Sequence, residues 1–316
     1  MSVHHRPRGL FSPPSPPFHA SLRDVNAPPE PALLPAGALS VPLTAPPGTN
    51  GRTDSCPNGE ARHALPLFHA TLLQYEGSAA HPMQDAADAD PMRGIAAVAD
   101  GVTQSAWPEE LARALVREFV SGMDGPCADD PVRECWQQVR MAWWRAVTPR
   151  VAHAHWALRR RFAEGGARTT FLGFRLVQTP AAAPGWEFWS VGDCAAYWFR
   201  EEVHLVARFP EAECLNNHPP VLQTLQAASD LPPIECSRGA GPLPGSLLVL
   251  ATDRIAEFLD QIRPWEQEPG FWREREAEGH TGFGAWCRQR QEQGQLGDDD
   301  YTLLLLRFPA PACEGT

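Results

Sequence analysis

The chain has 316 residues, 43% of them hydrophobic and 21% charged, enough apolar material for one large domain or two modest ones. A formal net charge of -11 argues against nucleic acid held on a broad basic surface. It leaves a phosphorylated substrate open, because divalent cations can reverse the field of an acidic site.

Prolines crowd the first fifty residues, in runs such as SPPSPP and NAPPEPALLP. Proline fixes φ and removes a backbone donor, so residues 1–62 are expected to form a disordered tail. The first residues lack the apolar stretch of a secretory signal, and no run of about 18 uncharged apolar residues follows. A cytoplasmic protein with no membrane partner is expected. A domain over 63–310 and a short tail at 311–316 complete the expected organisation.

Order is predicted from about Leu67, where LFHATLLQYEG reads as a strand. GIAAVADG, from Gly94 to Gly101, reads as a short buried strand ending in Asp-Gly. PEELARALVREFV then places Leu111, Leu115 and Phe119 on one helical face, with Pro108 suited to the first turn. A second helix is predicted from about Pro131 to Ala146, broken at Pro149, with another running through VAHAHWALRRRF. Further on, TTFLGFRLV, WEFWSVGD, AAYWFREEVHLV, SLLVLATD and YTLLLLRF read as strands, with an irregular flap between about Pro210 and Gly245 and a helical insertion before the last strand. Hairpin-like spacing predicts a mostly antiparallel, layered α+β domain.

Four aspartates share a local context. Asp100, Asp193 and Asp253 each end an apolar run, and Asp299 precedes one. In an antiparallel sheet the end of one strand lies beside the start of its neighbour, so the four could meet at one sheet edge. Gathered carboxylates raise one another's pKa, and a divalent cation relieves the repulsion; all-oxygen ligation favours magnesium or manganese. A single aspartate at a strand end is also a common turn former or helix cap.

The eight cysteines include no C-x-x-C pair and no Cys/His cluster of zinc spacing, which fits reduced thiols. His153 and His155 would not share a helix face at i and i+2. The eleven tryptophans suit packing, and the run Arg159–Arg161 suits a solvated helix face. No nucleotide-binding glycine loop is present.

The segments HPMQDA, AAVADG, GGARTTFLGFRLV, WSVGDCAAYW, LLVLATD and DDDYTLLLL, in this order, resemble the motifs of the type 2C metal-dependent protein phosphatases. The resemblance spans about residues 67 to 308 and implies a four-layer α-β-β-α sandwich with two mostly antiparallel sheets. It implies two Mn2+ or Mg2+ ions, with a third in several members, and hydrolysis of phosphoserine or phosphothreonine by a water shared between the metals, its pKa lowered toward about 7. On that resemblance Asp100 matches the bridging aspartate, Gly101 a carbonyl ligand, and Asp253 and Asp299 the remaining direct ligands. Asp85 matches the acid that holds metal-bound waters, Asp193 the aspartate of the third ion, and Glu257 a supporting carboxylate. The implied partners are a phosphorylated protein and an opposing Ser/Thr kinase.

Three departures stand out. Where many members carry a phosphate-gripping arginine, this chain has Ala79 and Ala80, with His81 the nearest polar candidate. VTQSAW replaces the glycines that often follow Asp-Gly, and Arg254 replaces the glycine after the third aspartate. Arg254 reads either as the missing positive group that meets the substrate phosphate or as a surface ion-pair former. The departures motivate an alternative, a catalytically weak or inactive module that binds phosphoproteins; a phosphohydrolase acting on a small molecule with the same metals is a third reading.

Overall fold

The computed structural model describes residues 67–77, 82–122, 130–177, 185–211, 219–226, 228–240 and 244–310. The proline-rich segment 1–62, the last residues 311–316, and Ala79, Ala80 and His81 lie outside the described residues.

In chain order the elements are β1 (His69–Tyr75), β2 (Ala86–Asp90), β3 (Ile95–Ala99), α1 (Pro108–Gly122), α2 (Pro131–Val151), α3 (Trp156–Gly165), β4 (Arg168–Thr169), β5 (Phe171–Val177), β6 (Gly185–Val191), β7 (Ala195–Arg200) and β8 (His204–Phe209). They continue with β9 (Leu222–Gln223), β10 (Glu235–Ala240), β11 (Leu247–Ala251), α4 (Asp253–Ile262), α5 (Pro264–Gln267), α6 (Phe271–Glu292) and β12 (Tyr301–Arg307). Two five-stranded sheets run in the orders β1-β12-β11-β7-β8 and β10-β6-β5-β3-β2, and β4 pairs with β9 separately. Every pairing is antiparallel.

Strand alternation divides the core into three apolar layers. On β3, Ala96 and Val98 face the other sheet, while Ile95, Ala97 and Ala99 face the helices α1 and α2. On β11, Leu248 and Leu250 face inward between the sheets, while Val249 and Ala251 meet Ile255, Trp272 and Trp286 of α4 and α6. The layering is therefore helix, sheet, sheet, helix, in agreement with the expected α+β sandwich. Most of the tryptophans described, among them Trp136, Trp143, Trp189 and Trp272, are buried in these layers.

Four local expectations need correction. Pro149 does not break α2, which continues to Val151. The lost hydrogen bond falls in the last turn, and Trp136, Val139, Trp143 and Val147 bury the helix against the first layer, so packing outweighs propensity. His153 and His155 do not lie on a helix: they occupy the turn before α3, where His155 Nδ1 caps the helix by accepting from Ala157 N–H at 3.4 Å. Residues 235–240, expected to be irregular, form edge strand β10, paired to β6 through Cys236 and Trp189. Its sequence, ECSRGA, has mostly exposed side chains and no apolar alternation to announce it. Nor do the aspartates meet at the edge of one sheet; they come together across both sheets, at one end of the sandwich.

Candidate functional site

Antiparallel register creates this end of the molecule. Ala251 pairs with Leu303, and Thr252 N–H donates to Thr302 C=O at 3.2 Å, so the start of α4 lies beside the start of β12. That brings Asp253, the first residue of α4, near Asp299. From the other sheet, β3 delivers Asp100, and the turn from β6 into β7 delivers Asp193. Asp100, Gly101, Asp193, Asp253, Asp299 and Glu257 all line one cavity of about 670 Å³.

Asp85 lies behind this wall, 3% exposed. Thr252 Oγ1 donates to its Oδ2 at 2.8 Å while accepting Thr302 N–H at 3.1 Å. Asp85 and Asp100 lie close enough to act on each other's carboxyl. The carbonyl of Asp100 accepts from Thr170 N–H at 2.9 Å and from Thr169 Oγ1 at 2.7 Å, which fixes the backbone at the Asp-Gly step. Gly101 is required there: a Cβ would come within 2.9 Å of both Gln84 O and Pro108.

Burial and mutual repulsion act on these acids together. Burial pushes the Asp85 carboxyl up to about 7, with Asp300 adding repulsion. Burial, then the charges of Asp85 and Asp253, hold Asp100 well above the usual carboxylate range. Burial, then Asp193, Asp85 and Asp299, raise Asp253 to about 7. Asp193, raised by burial to about 6, has Oδ1 buried with no hydrogen-bond partner.

Arg254 supplies the cation that partly offsets this charge. Its Nε lies 3.3 Å from Asp299 Oδ2 and 4.0 Å from Asp253 Oδ2, and its Nη1 is 3.2 Å from Glu257 Oε2. Arg254 therefore pairs with acids, the second of the two readings its position allowed. Among the described residues no three acidic, His or Cys side chains are gathered closely enough to enclose an ion. The donor chemistry nonetheless fits a hard divalent cation: the oxygens are carboxylate and carbonyl, one is orphaned, and like charges face one another.

Several contributors carry no sequence signal of their own. Asp300, beside Asp299, accepts Gln84 N–H at 2.7 Å and Gly77 N–H at 3.1 Å, tying the segment before β2 to the start of β12. Thr252 links three elements by one hydroxyl. Arg168 lines the cavity from β4. The run of three acids in DDDYT was the available hint for Asp300; only register distinguishes its role from that of Asp299.

No family model and no curated protein matches the sequence. Among solved structures, a serine/threonine phosphatase from Staphylococcus aureus matches with a TM-score of 0.52 at 11% identity, over 77% of this chain and 96% of that one. A bacterial serine phosphatase matches with a TM-score of 0.50 at 11% identity, over 78% of this chain and 99% of that one. At such identity the likeness is one of fold. The chain thus has the fold of these serine/threonine phosphatases, the group its sequence motifs resemble.

Proposed function

We propose that the protein is a Mn2+- or Mg2+-dependent phosphatase that hydrolyses phosphate monoesters of serine or threonine in proteins. The observation that carries this reading is the convergence of Asp100, Asp193, Asp253 and Asp299 on one cavity, backed by buried Asp85. In this reading Asp100, the Gly101 carbonyl, Asp253 and Asp299 hold two ions, and Asp193 belongs to a third. Bound there, such ions would lower the pKa of water and offset charge on a phosphoryl group.

The chain's own residues have definable tasks. Thr252 fixes the orientation of the Asp85 carboxyl by donating to its Oδ2, and in this reading Asp85 holds water beside the bound ions. The paired threonines, Thr169 and Thr170, hold the Asp100 backbone still. No nucleophilic side chain is required; the buried thiol of Cys194 is pushed well above its ordinary value, first by burial, and would stay protonated.

One observation favours the second reading, a weakly catalytic module that binds phosphoproteins: Arg254 already neutralises the carboxylates at one side of the site. Hydrolysis of p-nitrophenyl phosphate with added Mn2+, with and without chelator, tests both. Metal-dependent turnover lost in Asp253→Asn supports the phosphatase. Absence of turnover in folded, Mn2+-binding protein favours the binding module. Comparing phosphopeptides with small phosphate esters identifies the substrate class.

A further inference from the structure

Among the described residues two arginines line the acidic cavity, and they are in opposite situations. Arg254 is spent on Asp253, Asp299 and Glu257. Arg168 is half-buried, and among the described residues its guanidinium has no ion-pair or hydrogen-bond partner; its Nε is buried without an acceptor. A buried charged donor left unpaired is costly, and folded proteins seldom tolerate one without a use.

The backbone around Arg168 is built to hold it. Its N–H donates to Ser105 Oγ at 3.1 Å, and its carbonyl accepts Val102 N–H at 3.1 Å. It pairs with Gln223 of β9, and the next residue, Thr169, bonds the Asp100 carbonyl. The guanidinium lies against Gly165, where a Cβ would stand 2.5 Å from its Nη2. Absence of a side chain at Gly165 therefore makes the seat, and the β4 hydrogen bonds place Arg168 one residue from the segment that anchors Asp100.

We propose that Arg168 is the phosphate-recognition residue of this site, binding the non-bridging oxygens of a phosphate monoester dianion. An unpaired planar guanidinium at the rim of a carboxylate cavity offers an anion two parallel donors that a lysine cannot match. It also gives a dianion a reason to enter a cavity whose own acids repel it. This assignment rests on the phosphatase reading for its substrate, but the anion site itself is measurable without turnover.

The test uses the full chain loaded with Mn2+, and compares Arg168→Ala and Arg168→Lys with wild type. Four quantities are read: KM and kcat for a phosphopeptide, the inhibition constant of inorganic phosphate, and Mn2+ affinity by calorimetry. Arg168→Ala is expected to raise both KM and the phosphate inhibition constant about 10- to 100-fold, the scale of one charged hydrogen-bonding pair, with Mn2+ affinity unchanged. Arg168→Lys, which keeps the charge and loses the fork, should recover only part; it also serves if the alanine variant fails to fold. An active wild type with phosphate inhibition unchanged in both variants overturns the assignment and leaves the phosphatase reading standing. If wild type has no turnover, the phosphatase reading falls, and calorimetric binding of inorganic phosphate decides for Arg168. Binding lost in the variants supports the anion site, while equal binding in all three, or none in any, overturns it.

Discussion

Arg254 and Asp299 form an ion pair, Nε to Oδ2 at 3.3 Å, across the junction between α4 and the start of β12. The same guanidinium reaches Asp253 and Glu257, so it acts as a built-in counter-ion for acids that would otherwise face one another. Any divalent ion that draws on Asp253 and Asp299 must compete with it. Arg254→Gln is therefore expected to tighten Mn2+ binding about three- to tenfold, the scale of one or two partly screened ion pairs, while lowering the melting temperature of the metal-free protein. Calorimetry and thermal denaturation in chelator check the two halves. Unchanged or weaker Mn2+ binding would show that the pair lies outside the metal's reach.

The raised carboxylates make a second prediction, with a definite sign. Asp85 and Asp253 ionise near 7 in the fold and Asp193 near 6, against 3.8 for an ordinary aspartate. Their protonated forms are favoured by folding, so their contribution to stability is complete below about pH 4 and is lost as pH rises through 6 to 7. In chelator the melting temperature should fall as pH rises from about 4 to 7 and level off above that. Saturating Mn2+ should remove most of that fall and release protons on binding, seen as a buffer-dependent heat. A flat profile in chelator over this range would refute the raised carboxyl pKa values, which come first from burial and then from neighbouring acids.

Asp300 supplies a third. Its two carboxylate oxygens each accept one backbone N–H, from Gln84 and Gly77, and so hold the approach to Asp85 against β12. Asp300→Ala leaves both donors without that acceptor and is expected to cost about 1–3 kcal/mol, with weakened Mn2+ binding as Asp85 loosens. Asp300→Asn keeps one acceptor and should fall between. Denaturant unfolding measures the first effect and calorimetry the second. Loss of stability without any change in metal affinity would confine Asp300 to a structural role.

Much of this architecture is legible in the sequence because the acids abut long apolar strands. SLLVLATD and YTLLLLRF announce both their strands and the aspartates at their ends, and antiparallel pairing then brings Asp253 to Asp299. What was not legible depends on contacts remote in sequence. β2, AADAD, has small and acidic residues and becomes a strand only by pairing with β3. Pro149 signals a break, but the tryptophan-rich face of α2 overrides it. Arg168 looks like any basic residue in GGARTT until Gly165, Ser105 and Val102 are seen to seat it. The two-sheet origin of the site was also hidden, since strand ends alone do not say which sheet each strand joins.

Gly101 offers the sharpest separation of site geometry from stability. It bridges to Thr169 and packs so closely that a Cβ would stand 2.9 Å from Gln84 O and equally near Pro108. These neighbours are backbone and a rigid ring, neither of which yields like the end of a flexible side chain. Gly101→Ala must therefore displace either the N-terminus of α1 or the Gln84–Asp85 segment. The overpacking should cost about 1–3 kcal/mol. Gln84 donates to Asp300 and its Oε1 accepts from Thr103 Oγ1 at 2.8 Å, so movement of that segment would disturb the wall carrying Asp85 and Asp100 together. Mn2+ affinity is expected to fall well beyond what the same loss of stability produces at a core position outside the cavity wall, such as Phe283→Leu on the buried face of α6. Calorimetry on the two variants, matched by their unfolding midpoints, makes the comparison. Equal metal affinity in both would mean that the Asp-Gly step tolerates displacement, and that the cavity's acids are positioned by β3 and the Thr169–Thr170 pair alone.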